Sequence, residues 1–151
     1  MRSGIRIGVD VGTVRVGVAR SDPTGALAVP VKTLRRGKTD LAELVALVVE
    51  YEAIEVLVGI PVSLSGEYRK AADAAKDYAM KVALMVDPVP VRLIDERLTT
   101  VQAQRGLTQA GVSTRQGRSV VDQAAAVIIL QPALDVERAS GEPAGTTVGT
   151  S

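Results

Sequence analysis

The chain of 151 residues contains neither cysteine nor histidine. The lack of cysteine excludes disulfides, thiolate chemistry and cysteine-ligated zinc. The lack of histidine removes the commonest general base and the commonest ligand of transition metals. Any catalysis must therefore use carboxylates, hydroxyls, lysine, arginine, tyrosine or a metal ion held by oxygen atoms. Sites made only of oxygen atoms suit Mg²⁺ or Mn²⁺.

Aromatic side chains and long apolar runs are also missing. There is no Phe or Trp and there are three Tyr, so stacking of bases on aromatic rings is poorly supplied. No segment has about 18 consecutive apolar residues and no basic-then-apolar leader opens the chain, which predicts a cytoplasmic protein with no membrane partner. The 18 basic and 17 acidic residues nearly cancel, so the net charge indicates no partner.

The hydrophobic pattern predicts a mixed α/β sheet of five strands. Three strands come first, and helices then alternate with two more strands. The predicted strands are 4–11, 14–21, 26–34, 54–60 and 91–94, and the predicted helices are 40–52, 67–84, 99–111 and 120–130. The length suits one domain, which we place at residues 1–136. A tail over 137–151, rich in Gly, Ser, Thr and Pro, is predicted to be disordered.

Two polar segments between these elements are predicted as loops. One carries a concentration of basic residues, namely Lys32, Arg35, Arg36 and Lys38. The other covers residues 111–118 and contains glycine.

Carboxylates occur at three places where a purely structural role would be unusual. Asp10 lies at the end of the first strand, one residue before a Gly-Thr turn, and Asp95 and Glu96 end the last strand. Asp122 lies in the first turn of an otherwise apolar helix. An acid at the tip of a buried strand is destabilising unless hydrogen bonds, a basic partner or a metal ion offset it.

Each carboxylate also has a structural explanation. Asp122 could favour the positive end of its helix dipole, which contributes about 0.3–1 kcal/mol. Asp95 or Glu96 could pair with Arg97, and Asp10 could cap its own turn. If the three sites converge, two carboxylates about 5 Å apart repel by roughly 3 kcal/mol at an effective dielectric of 20, and a divalent cation reverses that sign. Such a cation activates water for phosphodiester hydrolysis without any histidine.

Four segments in this order resemble the YqgF/RuvX family. They are DVGTVRVGVAR (10–20), VGIPVSLSG (58–66), DERLTT (95–100) and VDQAAAVIIL (121–130). The family is assigned to Holliday-junction resolution and to processing of the 5′ end of pre-16S ribosomal RNA. The resemblance implies a ribonuclease-H-like fold with strand order 3-2-1-4-5 and helices on both faces. It also implies a nuclease that uses Mg²⁺ or Mn²⁺ at Asp10, Glu96 or Asp95, and Asp122.

One departure from the wider superfamily affects the choice between Glu96 and Asp95. RuvC-type resolvases carry an acid at the end of strand four, whereas this strand ends Gly59-Ile60-Pro61. The second carboxylate must then come from strand five, about 4.8 Å further away. Because Glu reaches further than Asp, we favour Glu96 as the metal ligand and keep Asp95 as the alternative.

Other residues are candidate contacts to the substrate. The amide of Gly12 and the hydroxyl of Thr13 suit a phosphate, and the guanidinium fork of arginine suits phosphate oxygens. The candidates are Gly12, Thr13, Arg15, Arg97, Arg115 and Arg118. For Arg97 a buried salt bridge is an equal alternative, and the other three arginines are as compatible with ordinary solvated charges.

Several functions remain open at this point. The partner is precursor rRNA or branched DNA, and symmetric resolution of a DNA junction would require a homodimer. Asp-x-Gly-Thr is also the phosphate-loop pattern of sugar kinases, actins and chaperone ATPases, which need a second such domain. A binding module without catalysis is consistent with the missing acid on strand four.

Overall fold

The computed structural model describes residues 2–61, 66–96 and 115–148, and it describes their side chains except at 66–68 and 115–120. The strands are β1 Arg6–Val11, β2 Arg15–Ser21, β3 Ala28–Arg35, β4 Glu55–Ile60, β5 Val91–Asp95 and β6 Thr146–Thr147. The helices are α1 Asp40–Glu50, α2 Gly66–Val86 and α3 Arg115–Ser140. The predicted helix over 99–111 lies outside the described residues.

The strands form one mixed sheet in the order β3-β2-β1-β4-β5-β6. Strands β1 to β3 form an antiparallel meander, β1 pairs parallel with β4, and β4 pairs parallel with β5. The predicted order of five strands is confirmed. The sixth strand, β6, pairs antiparallel with β5 and was not predicted.

Alternation along each strand sends side chains to two separate cores. In β1, Ile7 and Val9 face the core that α1 and α2 cover. Gly8 faces the other side, where an added Cβ would lie 2.8 Å from the Cβ of Leu130 in α3. Asp10 has the same parity as Gly8. The carboxylate at the end of β1 therefore belongs to the face of the sheet that α3 covers.

Helix α3 extends well past both predicted ends. The predicted loop at 111–118 is wrong for residues 115–118, because α3 begins at Arg115. Its predicted end at residue 130 is also wrong, since the helix continues through Pro132 to Ser140. Proline normally breaks a helix interior. Here Leu134 and Glu137, both buried, keep the last turns against the sheet.

The predicted disordered tail is wrong for residues 137–148. An ion cluster, buried except for Arg2, holds the end of α3. Glu137 accepts hydrogen bonds from Arg2 at 2.7 Å and from Arg6 at 2.9 Å, and Arg2 also reaches Glu55 at 3.2 Å. The chain then forms β6, and Val148 packs into the core beneath α1 and α2. The domain therefore extends beyond residue 136.

No helix within the described ranges combines the length and apolarity needed to cross a membrane.

Candidate active site

Helix α3 approaches the sheet closely because glycines lie beneath it. A methyl group on Gly17 of β2 would overlap the backbone carbonyl oxygen of Asp122. One on Gly59 of β4 would overlap the side chain of Ile129. Any larger residue at Gly17 would move the helix backbone away. The two glycines therefore set where the segment of α3 around Asp122 sits.

Asp10 lies between these two glycines. It pairs directly with Gly17 across the β1–β2 ladder. On the other side, the β1–β4 register of Val9 with Val58 places Asp10 next to Gly59. Neighbouring strands lie about 4.8 Å apart, so Asp10 is within one strand spacing of both glycines. The residue is 5% exposed, and its side chain shares a face with α3.

Glu96 reaches the same region from β5. Its Oε1 lies 3.2 Å from the position that a Cβ on Gly59 would take. The carboxylate thus occupies the space over β4 that the missing strand-four acid would have used. The β1–β4 register also places Asp10 beside Gly59, so the two acids flank the same glycine. This geometry is the one that the longer reach of Glu predicts.

The parity of β5 separates Glu96 from Asp95. Ile94 belongs to the core under α3, and Glu96 has the same parity. Asp95 has the parity of Val91, which belongs to the opposite core. Burial raises the pKa of Glu96 to about 7, and the nearby charge of Asp95 adds to this effect. Glu96 therefore gives up its proton less readily than an exposed Glu, and a nearby positive charge would favour its ionised form.

The carboxylate of Asp122 has a basic partner. Nε of Arg15 donates a hydrogen bond of 2.7 Å to Oδ2 of Asp122. The pair bridges β2 and α3 beside Asp10. The contact differs from the predicted role of Arg15, which was a contact to a substrate phosphate.

In the part of the chain described here, no group of three or more acidic side chains is arranged to hold a metal ion.

The predicted cluster of three carboxylates is therefore not assembled in this structure, and the engagement of Asp122 with Arg15 is a sufficient physical reason. Asp10 and Glu96 still match a hard dication in two respects. They supply only oxygen atoms, and both are almost fully buried on one face of the sheet. Those two residues would hold the ion, and Asp122 could add a third oxygen only after leaving Arg15.

The turn between β1 and β2 is formed differently from the prediction. The amide of Gly12 donates to the carbonyl oxygen of Arg15 at 2.9 Å, so a phosphate would have to replace this hydrogen bond to contact the amide. Thr13 is exposed at the tip and stays a candidate. Arg97 lies outside the described residues. Arg115 and Arg118 lie in the first turn of α3, and their side chains are also outside.

Arg36 was not among the predicted site residues, although it supports this turn. Its Nη1 donates to the carbonyl oxygen of Gly12 at 3.2 Å, and its guanidinium carbon lies 5.2 Å from the centre of the Tyr78 ring. The dense basic residues after β3 were the only sequence signal for it. The sequence signal for the space that Glu96 fills was Gly59, which lies near the end of a predicted strand without an acid.

Comparison with solved structures identifies the architecture. The chain aligns with RuvC from T. thermophilus in complex with a Holliday junction substrate, at a TM-score of 0.58 over 95% of this chain and 99% of that one. A second Thermus thermophilus RuvC structure aligns at 0.52. The identities are 14% and 13%, so these likenesses concern the fold alone. The ribonuclease-H-like fold predicted from the sequence is confirmed.

Comparison with families is more specific. The family model "RuvX: Holliday junction resolvase" matches residues 4–136, and the chain belongs to this family. A protein of Thermobifida fusca is 53% identical over 98% of both chains, and one of Nocardioides sp. is 52% identical over the same shares. A protein of Mycolicibacterium smegmatis is 54% identical over 91% of this chain and 84% of its own. Each carries the name "Putative pre-16S rRNA nuclease".

Proposed function

We propose that this chain is a metal-dependent nuclease that hydrolyses phosphodiester bonds in structured nucleic acid, with the 5′ end of pre-16S rRNA as its substrate. The observation that carries the proposal is that Oε1 of Glu96 lies over Gly59, the glycine next to which the β1–β4 register places Asp10. Membership of the RuvX family and the names of relatives more than 50% identical support it.

Asp10 and Glu96 would hold Mg²⁺ or Mn²⁺ between β1 and β4. When bound, such an ion activates water and stabilises the leaving oxygen of a phosphodiester. Arg15 has two uses in this proposal. It neutralises Asp122 in the absence of substrate, and its guanidinium can turn to a phosphate, which releases Asp122 toward the ion. Thr13, exposed at the tip of the adjoining turn, offers a hydroxyl to the same backbone.

The test replaces Asp10 with Asn, which keeps the shape and removes the charge. Asp10→Asn should reduce Mn²⁺-dependent cleavage of a precursor 16S RNA by at least roughly a hundredfold, the scale of losing one electrostatic catalytic group. Asp135→Asn, an exposed change on α3, is the matched control and should cleave normally. Cleavage by clean Asp10→Asn protein at the wild-type rate would refute the proposal. Thermal melts verify that both variants fold.

A second candidate substrate is a four-way DNA junction. Two observations favour it: the description of the matching family model and the RuvC–junction complex that shares the fold. Symmetric resolution needs two active sites, so this candidate predicts a homodimer in light scattering. Precursor RNA and a DNA junction should be assayed side by side with both metals. Binding to either substrate without cleavage of either would favour a non-catalytic module and overturn the hydrolase assignment.

A further inference from the structure

The outer strand β3 and the residues after it carry exposed basic side chains that no acid of the described chain neutralises. Lys32 and Arg35 project from β3, and Lys38 follows it. None of the three forms an ion pair with a described residue. We call these three residues the β3 basic edge. Unneutralised charge of one sign on an exposed strand attracts a partner of the opposite charge.

The β3 basic edge is continuous with the candidate active site. Arg35 pairs directly with Arg15 across the β2–β3 ladder. Arg15 in turn contacts Asp122 at 2.7 Å. Like charges directly opposite each other on neighbouring strands destabilise a sheet. Because Arg15 is already paired with Asp122, Arg35 is the member of the pair whose charge remains available to a polyanion.

Contacts to the β1–β2 turn hold the backbone of this segment. The amide of Arg36 donates to the carbonyl oxygen of Val14 at 2.9 Å, and its side chain donates to Gly12. The first acid that follows, Asp40, is buried and accepts hydrogen bonds from the Tyr78 hydroxyl and the Gly37 amide. Its carboxylate therefore does not neutralise the edge. The backbone that carries the basic residues is therefore tied through Arg36 to the turn that follows Asp10.

We propose that the β3 basic edge binds the phosphate backbone of the nucleic acid that flanks the scissile bond. The inference rests on the proposed nuclease function. It adds the path that the bound nucleic acid takes across the protein on one side of the scissile bond. Lys32 and Arg35 are three residues apart, about 10 Å along β3, and alternation places them on opposite faces of this outermost strand, so a backbone that follows the edge of the sheet lies within reach of both. That length corresponds to about three nucleotides of one strand at 3.4 Å each. Such contacts position a substrate without reading its sequence.

The test compares two triple variants of the full chain that remove the same kinds of charge. Lys32→Gln/Arg35→Gln/Lys38→Gln removes the edge. Arg69→Gln/Lys70→Gln/Lys76→Gln removes one arginine and two lysines from the exposed side of α2, on the other face of the sheet. Binding of a fluorescent precursor-rRNA stem and of a four-way DNA junction is measured by anisotropy in EDTA, at several salt concentrations.

The edge variant should bind more weakly, and its slope of log K against log salt should be shallower by about 2 to 3, since each lost phosphate contact removes roughly one. The α2 variant should keep the wild-type slope, and Arg35→Lys alone should also keep it. Weakening with both nucleic acids, or with one of them, supports the surface. Equal slopes for the two triple variants would overturn it.

The outcome is separable from the nuclease proposal. If cleavage depends on Asp10 but the edge variant binds nucleic acid as the wild type does, only the proposal for the β3 basic edge is refuted. If the edge variant binds more weakly but the wild-type protein cleaves neither substrate, the nuclease proposal is refuted and the binding surface stands.

Discussion

Arg15 and Asp122 are joined by an ion pair in which Nε of Arg15 lies 2.7 Å from Oδ2 of Asp122. The residues are 107 positions apart in the chain, and the pair ties β2 to α3 beside Asp10. The side chains are 29% and 21% exposed, so solvent screens the pair in part. It therefore contributes little to stability, and its main effect is to occupy a carboxylate that a metal ion could use.

Arg15→Ala should bind Mn²⁺ more tightly than the wild-type chain, by roughly fivefold if about 1 kcal/mol of ion pair is released. The physical reason is that Asp122 no longer has a competing cation. Isothermal titration measures the affinity. Arg20→Ala, on the same strand but stacked on Tyr51, is the control and should bind as wild type. Equal or weaker Mn²⁺ binding by Arg15→Ala would show that Asp122 takes no part.

Gly17→Ala should be destabilised by about 1–3 kcal/mol, the range for an extra methyl group forced into a packed interior. The added methyl would meet the Asp122 carbonyl oxygen, which belongs to the backbone and yields only if α3 moves. The nuclease activity should fall with it. Gly37→Ala is the control, because its new methyl group has nothing within 4 Å. Its free energy of unfolding in urea should be within about 0.5 kcal/mol of the wild-type value. Similar midpoints for the two variants would contradict the close approach of α3.

Glu96→Gln should gain stability relative to the wild type as the pH rises from about 4.5 to 7. Burial raises the pKa of Glu96 from 4.5 to about 7, so over this interval the folded chain retains a proton that the unfolded chain has released. The wild type therefore loses stability as the pH rises through that window. The full difference is at most about 3 kcal/mol, or 1.36 kcal/mol per pKa unit. Urea unfolding in EDTA at several pH values measures it.

The same experiment with Mn²⁺ supplies the complementary result. A bound dication favours ionised Glu96, so the loss of wild-type stability between pH 4.5 and 7 should shrink. The Glu96→Gln variant should respond less to the metal. A wild-type pH profile that Mn²⁺ leaves unchanged would count against Glu96 as a ligand.

Glu137→Gln should lose about 3–5 kcal/mol, because it leaves the fully buried Arg6 without its charged partner. The arginine partners lower the pKa of Glu137 from 4.5 to about 2. The stabilisation it supplies is therefore present above pH 4.5 and is lost as the pH falls toward 2. Asp135→Asn, on the exposed side of the same helix, is the control, and its free energy of unfolding should be within about 1 kcal/mol of the wild-type value. A chain ended at residue 136 that was as stable as wild type would contradict this role.

The architecture and the first candidate site residue were accessible from local patterns. Apolar alternation that ends on Asp10 is a property of adjacent residues, and so is the strand that ends on Asp95 and Glu96. The preference for Glu96 followed from the length of its side chain, and the structure shows its carboxylate over Gly59. The end of α3 was missed because Pro132 normally stops a helix. The packing of Leu134 and Glu137 overrides that preference, and no local pattern shows such long-range contacts.

By itself the sequence determined the chemistry available to this protein. Without cysteine and histidine, any metal site must use oxygen atoms, and the alternation of the strands determined which acids could face α3. The tertiary structure alone decided which groups those acids meet. Asp122 contacts Arg15, Glu137 contacts Arg6, and Arg35 lies opposite Arg15, each across more than one element. Ion pairs depend on distances of a few ångströms between residues far apart in the chain, and only folding establishes those distances.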